Sequence, residues 1–301
     1  MSGPWVWLDG ALVRENAARI SPADRGFLLG DGLFETMRAY GGRPFRLADH
    51  LARLEAGAAR IGLELPDDLR DAVAVTLEAN DLDDAAVRIT VSRGVTGPGL
   101  TPHLEAEPTV LVTARAYRPR AEWYTHGIAA NFASGRLDEH RASAGLKQLG
   151  YLDGVLALRE ARAAGAEDAL LLDTEGHVAE AAASNLFVVV GGVLRPPPLS
   201  CGILPGITRA VVLELAAARG LATREEPLTP ATVSTAEEAF LTSSLRELVP
   251  LTRLSGRTLG NGSPGAITRA LLEDYQRQAR AHAAAAASLV GAARPAPDAR
   301  A

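Results

Sequence analysis

Of the 31 basic side chains in this 301-residue chain, one is a lysine and the rest are arginines. That lysine, Lys147, lies in AGLKQLGYLDGVLAL, among apolar residues rather than in a charged run. Arginine stays protonated and cannot act as an amine nucleophile, whereas a desolvated lysine can lose its proton and form a Schiff base with a carbonyl. A residual surface lysine is the plain alternative, and the apolar surroundings weigh against it. In CGILPGITRAVVLELAAARG, Pro205-Gly206 introduces a helix whose first amides, at Ile207 and Thr208, have no intrahelical acceptor. Such an N-terminus is a ready phosphate cup, although a plain loop-to-helix junction reads the same way. FLTSSLRELVP ends a strand in Thr242, Ser243 and Ser244, whose hydroxyls suit an anion and equally suit a polar turn or a helix cap. Glu180, in EGHVAEAAASNLFVVV, sits between a turn at Glu175-Gly176 and a buried-looking strand, and Arg53 lies in the helical DHLARLEAGAARIGL. Taken singly, each of the last two is an ordinary surface residue.

Composition narrows the setting. A net charge of −5 excludes a global basic footprint for nucleic acid or anionic membrane. An apolar content of 47% with 22% charged residues is that of a folded soluble chain. Cys201, the single cysteine, excludes an intrachain disulfide framework. No signal-like start and no long apolar run are present, so a cytoplasmic protein without a membrane span is expected. GxSxG, HExxH and P-loop motifs are missing, and six scattered histidines give no metal-ligand spacing, so no metal site is expected.

The elements that must hold these residues fall into two α/β halves. In residues 1–115, two hairpins turn at Asp9-Gly10 and Gly41-Gly42. Helices follow over 47–61 and about 67–80, and then alternating strands in AVRITVSRG and TVLVTARAY flank a loop at 97–102. Residues 116–122, with Pro119, form the expected link. A larger domain over 123–281 alternates strands near 127–132, 168–173, 185–194, 221–226 and 238–242 with helices near 151–164, 206–219 and 264–280. The Ala/Pro-rich tail over 282–301 is expected to be flexible.

In order along the chain, ISPADRGFLLGDGLFETMRAYGGRPFRLADHLARL, AGLKQLGYLDGVLA, EGHVAEAAASNLFVV, CGILPGITR and FLTSSLRELVPL resemble the class IV aminotransferases. These are the fold-type IV pyridoxal-phosphate enzymes, a group that includes branched-chain and D-amino-acid aminotransferases and 4-amino-4-deoxychorismate lyase. The resemblance implies a mixed α/β (α+β) fold: a small N-terminal α/β domain, a larger C-terminal pseudo-barrel, and pyridoxal 5'-phosphate between them. It also implies a homodimer. Lys147 would carry the cofactor and move the proton at the substrate α-carbon. Glu180 would face the ring nitrogen, and Tyr151 the phenolic oxygen. Arg53, the Ile207 and Thr208 amides, Ser243 and Ser244 would hold the phosphate.

The substrate side is mixed. Phe34 and Glu35 fit the family's pocket strand, and Thr36 resembles lyase-like members where branched-chain enzymes commonly carry glycine. Yet SRGVTGPGL lacks the second arginine and the tyrosine of the enterobacterial-type lyase loop, and also the Arg-x-His pair of the bacillus-type D-amino-acid enzyme. Arg88 and Arg93 lie where a cation could meet a substrate carboxylate, or serve structure alone. The expected reaction moves an amino group between a small or branched amino acid and a 2-oxo acid. The alternative is aminodeoxychorismate lyase chemistry, releasing pyruvate and 4-aminobenzoate. A non-catalytic two-domain binding protein is the distant alternative.

Overall fold

The computed structural model describes residues 3–97, 99–101 and 106–292, with side chains through 284. Both expected N-terminal hairpins form. Strand β1 (Trp5–Leu8) pairs with β2 (Ala11–Arg14), and after the short helix α1 (Arg25–Leu29), β3 (Gly32–Tyr40) pairs with β4 (Arg43–Pro44). Helices α2 (Leu47–Ile61) and α3 (Leu69–Ala79) precede β5 (Ala85–Ser92) and β6 (Thr109–Ala116). The six strands make one antiparallel sheet in the order β2-β1-β6-β5-β3-β4. Alternation decides its faces. Val87, Ile89 and Val91 of β5, with Val110 and Val112 of β6, pack on Leu51, Leu54 and Ala58 of α2 and Val73 and Leu77 of α3. Each such buried aliphatic side chain contributes about 1.5–3 kcal/mol. The intervening residues of β5, including Arg88, are left for the other face.

The second sheet is built from β7 (Ile128–Arg136), β8 (Asp168–Leu172), β9 (Val178–Ala181), β10 (Ser184–Val190), β11 (Val193–Arg195), β12 (Glu238–Ser243), β13 (Glu247–Leu254) and β14 (Arg257–Thr258). Its order is β11-β10-β12-β13-β7-β8-β9, and β9 returns to pair with β10, which closes a barrel and leaves no open edge between them. The helices are α4 (Glu122–Thr125), α5 (Leu152–Ala163), α6 (Ile207–Ala218), α7 (Pro230–Ser234) and α8 (Ala266–Ala292). Strand β10 is apolar on both faces because both are covered. Leu186 and Val188 point into the barrel, while Phe187 and Val189 pack with Val211 and Val212 of α6 and Leu271 and Tyr275 of α8. The fold is therefore mixed α/β with a barrel-like second sheet, as the resemblance implied.

Several element boundaries differ from the sequence reading. The single strand expected over 185–194 is a hairpin, because Gly191 and Gly192 both take positive φ (62° and 72°) and turn the chain between β10 and β11. No strand forms over 221–226. Thr223 makes one bridge to Leu194, and the ladder stops there because β11 runs into Pro196, Pro197 and Pro198, which offer no N–H. Strand β13 escaped the reading because Pro250 interrupts its pattern; its pairing with β7 begins one residue later, at Leu251. The last helix does not stop near 280 but runs to Ala292. Alanine is the best helix former, and Ala283 packs against the α6–α8 core. Residues 293–301 lie outside the described ones.

Candidate active site

A cavity of about 820 Å³ opens between the two sheets. That is ample for a cofactor with a small substrate. From the first sheet it is lined by Phe34 and Thr36 of β3, Arg88 of β5 and Arg53 of α2; from the second by Lys147, Tyr151, Glu180, Asn185, Ile207, Thr208, Thr242, Ser243 and Ser244. The structure thus brings together the sequence-predicted site residues except Arg93 and Glu35, which do not line this cavity.

Lys147 is held by backbone pairing. The Phe34 amide donates to the Lys147 carbonyl (2.9 Å), and the Leu149 amide donates to Gly32 (3.1 Å), so residues 147–149 run along the start of β3. The amine lies 4.4 Å from the centre of the Phe34 ring and 5.5 Å from that of Tyr151. Burial, reinforced by the Arg53 charge, pulls it down to about 8. Tyr151 precedes α5 as its cap residue, and its ring meets Phe34 edge-on at 5.3 Å. Its hydroxyl is pushed up to about 12, first by burial and then by Glu180.

Glu180, on β9, accepts hydrogen bonds from Asn185 Nδ2 (3.0 Å) and the Leu204 amide (3.1 Å). Burial raises its carboxyl to about 7, against the pull of the Leu204 amide and the Lys147 charge. A half-buried amine brought down and a half-buried carboxyl brought up therefore flank one cavity, each near neutrality. Asn185 was not singled out from the sequence. It also donates to the Leu204 carbonyl (2.9 Å), and its Oδ1 lies so close to Gly206 that a Cβ there would meet it at 2.0 Å. Glycine before α6 is thus required by close packing, and the same packing sets Glu180.

The α6 N-terminus has Gly206 as its cap, with no side chain to satisfy the first amides. Facing it are Ser243 and Ser244, while the Thr242 hydroxyl is buried without a hydrogen-bond partner among the described residues. Arg53 reaches the same place from α2, donating from Nη1 to the Pro205 carbonyl (2.9 Å) and from Nε and Nη2 to Glu35 (2.8 and 2.7 Å).

The two substrate-side arginines separate. Arg88, opposite Thr36 in the β3–β5 register, places its guanidinium 3.8 Å over the Phe34 ring and makes no ion pair among the described residues. Burial lowers its pKa. Arg93 does not line the cavity. It pairs with Asp31 (2.9 Å) and donates to the carbonyls of Ile61 (2.7 Å) and Gly62 (2.6 Å). Positions 88 and 93 differ by an odd number, so an extended chain sends them to opposite faces; that parity was the available signal. Sequence reasoning also missed the outer cavity wall, where Arg246 bridges Asp168 (2.5 Å) and Ser184 (2.7 Å) beside Tyr117, Arg120 and Trp123. Cys201 is buried and its thiol is pushed up to about 12 by burial and Asp173, which leaves it inert.

The family model "Amino-transferase class IV" matches residues 32–254. The chain belongs to the class IV aminotransferases. A Methanocaldococcus jannaschii protein carrying the provisional name branched-chain-amino-acid aminotransferase is 39% identical over 275 residues, spanning 90% of this chain and 95% of that one. Among solved structures, the T.th. branched-chain amino acid aminotransferase with pyridoxamine 5'-phosphate superposes with a TM-score of 0.87 at 30% identity, over 93% and 94% of the two chains. The 4-amino-4-deoxychorismate lyase from Pseudomonas aeruginosa gives 0.81 at 33% identity, over 90% and 98%. This class IV aminotransferase is thus a member of a pyridoxal-phosphate-dependent family whose substrates are small amino and oxo acids. No helix among its described residues is long and apolar enough to cross a membrane.

Proposed function

We propose that this enzyme transfers an amino group between a small or branched amino acid and a 2-oxo acid, using pyridoxal 5'-phosphate held by Lys147, Tyr151, Glu180 and the α6 cup. The donor set fits the cofactor. First-turn amides, two serines, an unpartnered threonine hydroxyl and an arginine converge at one end, and an amine and a carboxyl stand in the middle. When bound, the cofactor ring supplies an electron sink for the electrons left on the substrate α-carbon. Lys147, at about 8, is roughly one-tenth free base at neutral pH, so it can both take and return the α-proton. Glu180, at about 7, holds a proton against the ring nitrogen. Arg88 receives the substrate carboxylate. The paired shifts of Lys147 and Glu180 in one cavity carry the reading.

Borohydride reduction of the full chain with pyridoxal phosphate, followed by peptide mapping, is expected to label Lys147. Label confined to the N-terminal amine sinks the assignment. Offering amino donors then separates the reactions: release of the matching 2-oxo acid from small or branched donors supports transamination. The lyase is the second reading, favoured by Thr36 and by the aromatic and cationic outer wall at Tyr117, Trp123 and Arg246. Release of 4-aminobenzoate from aminodeoxychorismate, with no donor accepted, decides for it.

We also read residues 1–115 and 123–281 as two domains joined at 116–122, working in the cytoplasm as a homodimer. Support for the dimer comes from Phe27, Leu28 and Leu29 of α1, which are 79%, 59% and 49% exposed, and Leu152 and Val155 of α5, at 66% and 57%. These segments adjoin at Gly30 and Gly150. An apolar face of this kind is covered by a second copy. Light scattering on the wild type and on Phe27→Glu tests this, the variant being expected to shift toward monomer.

A further inference from the structure

Behind the α6 cup lies a carboxylate that the proposed mechanism does not use. Glu35 alternates with Phe34 and Thr36 along β3, so it points away from the cavity and toward α2. Its side chain is 1% exposed. It accepts from Arg53 Nε at 2.8 Å, Arg53 Nη2 at 2.7 Å and His50 Nδ1 at 2.7 Å. Burial works to raise its pKa, but His50 and Arg53 prevail and hold it at about 2. The partners arrive on one helix face because His50 and Arg53 are three residues apart.

Each partner continues to the cup. Arg53 goes on through Nη1 to the Pro205 carbonyl, next to the cap residue of α6. With Nδ1 donating to Glu35, the neutral His50 ring leaves Nε2 to accept from the Ser244 hydroxyl at 3.4 Å, which fixes the serine oxygen while its one proton can turn to an arriving anion. One buried carboxylate thus fixes a guanidinium from the first sheet's helix and a hydroxyl from the turn after β12. A free arginine or serine would have to give up rotamer entropy when an anion arrives, and side chains already locked do not.

We infer that Glu35 and His50 are positioning residues for phosphoryl recognition, aiming Arg53 and Ser244 at the cofactor phosphate without touching it. The inference rests on the assignment of the α6 cup to that phosphate. It concerns binding of the phosphoryl group alone, so its signature is a ratio. Pyridoxal carries the same ring and aldehyde without the phosphate, and a general defect in the pocket weakens both ligands together.

The test uses the full chain freed of cofactor, titrated with pyridoxal phosphate and with pyridoxal by absorbance. In Glu35→Gln the amide cannot accept from both the arginine fork and His50, and the Kd for pyridoxal phosphate is expected to rise about tenfold or more, with pyridoxal within about twofold. In His50→Asn the side-chain amide still reaches Glu35 but not Ser244, and a rise of about threefold is expected, again for the phosphorylated ligand only. Adding Ser244→Ala to His50→Asn should then cost less than Ser244→Ala costs in the wild type, because the two residues act as one unit. Should Glu35→Gln fail to fold, His50→Asn and this double-mutant comparison carry the test. Equal weakening of both ligands, or no change in the ratio, overturns the inference while the cofactor reading stands. A wild type that fails to prefer pyridoxal phosphate over pyridoxal overturns the cup assignment and the inference with it.

Discussion

Glu35, fully buried, and Glu180, half-buried on the cavity wall, border the same Lys147, yet their environments drive them in opposite directions. Glu35, held at about 2, accepts three hydrogen bonds from an arginine and a histidine. Glu180, raised to about 7, accepts only two from neutral amides. Burial acts on both; the number and charge of the donors decides which way the balance falls. A fully partnered group is locked and serves geometry. An under-partnered one keeps a proton within reach and serves chemistry. The same contrast recurs in the arginines, with Arg93 saturated by Asp31 and two carbonyls and Arg88 standing over the cavity without a carboxylate.

The strongest challenge to this contrast is removal of the amine that responds to both glutamates. Lys147→Ala is expected to lower turnover at least about a thousandfold, within the range for losing a positioned acid–base group. It should also raise the Glu180 pKa further, because the Lys147 charge is one of the influences holding it down. Glu35 also loses the pull of that amine and should rise, yet it stays ionised at neutral pH because His50 and Arg53 hold its carboxylate. Infrared titration of the carboxyl bands before and after the substitution reads both. A Glu35 that becomes protonated near neutral pH would break the contrast.

Next in size is stability, where the two glutamates must give opposite signs. Glu180 has a folded pKa above its ordinary 4.5, so its stabilising protonated form is fully present below about 4.5 and lost as pH rises through about 7. Glutamine suffers no such loss. Glu180→Gln should therefore gain on the wild type with rising pH, by about 3 kcal/mol at pH 8. Glu35 has a depressed pKa, so its contribution is present above about 4.5 and lost as pH falls through about 2. Glu35→Gln should be less stable than wild type at neutral pH by about 3 kcal/mol, with the deficit shrinking in acid. Urea unfolding of the cofactor-free chain between about pH 2 and 8 measures both. Shifts of the same sign would show that burial alone governs the two sites.

How much of this was legible in the sequence follows the same division. Lys147 stood out by composition, and the α6 cup by Pro205-Gly206 and a hydroxyl run, because both signals are local. Helix α2 was readable to its last residue from the spacing of Leu47, Leu51, Leu54, Ala58 and Ile61. Its polar neighbours carried no such signal. His50 is an isolated histidine until the fold places Glu35 beside it, and Asn185 gains its role only from Glu180, Leu204 and Gly206. Arg88 and Arg93 share a residue type and a chain segment, and only the alternation along that segment separates their faces. Strand β13, with Pro250 inside it, is held by pairing with β12 and β7 rather than by local propensity.

The arginines offer a smaller test. Arg88→Gln should raise KM for the amino acid about tenfold or more, through loss of a charge-assisted hydrogen bond to the carboxylate, and leave the melting temperature nearly unchanged. Arg93→Gln should do the reverse, lowering the melting temperature by several degrees with KM within about twofold, because it leaves the Asp31 carboxylate with one guanidinium and two carbonyls without donors. Matching KM effects would return Arg93 to the substrate site.

The smallest expected effect comes from Thr242, on the strand that connects the two glutamates' surroundings. It sits opposite Asn185 in the β10–β12 register, and the next two residues are Ser243 and Ser244. Its hydroxyl is buried without a partner among the described residues, and an unsatisfied buried hydroxyl costs about 1–3 kcal/mol. Thr242→Val keeps the branched shape and removes that cost, so the cofactor-free chain should become more stable by about 1 kcal/mol. If the hydroxyl completes the phosphate cup, the same substitution weakens pyridoxal phosphate and spares pyridoxal, and the stability gain disappears on loading. A gain that survives loading would place Thr242 with the locked residues. Its disappearance would place it with Arg88 and Glu180, among the groups left short of partners where a ligand supplies them.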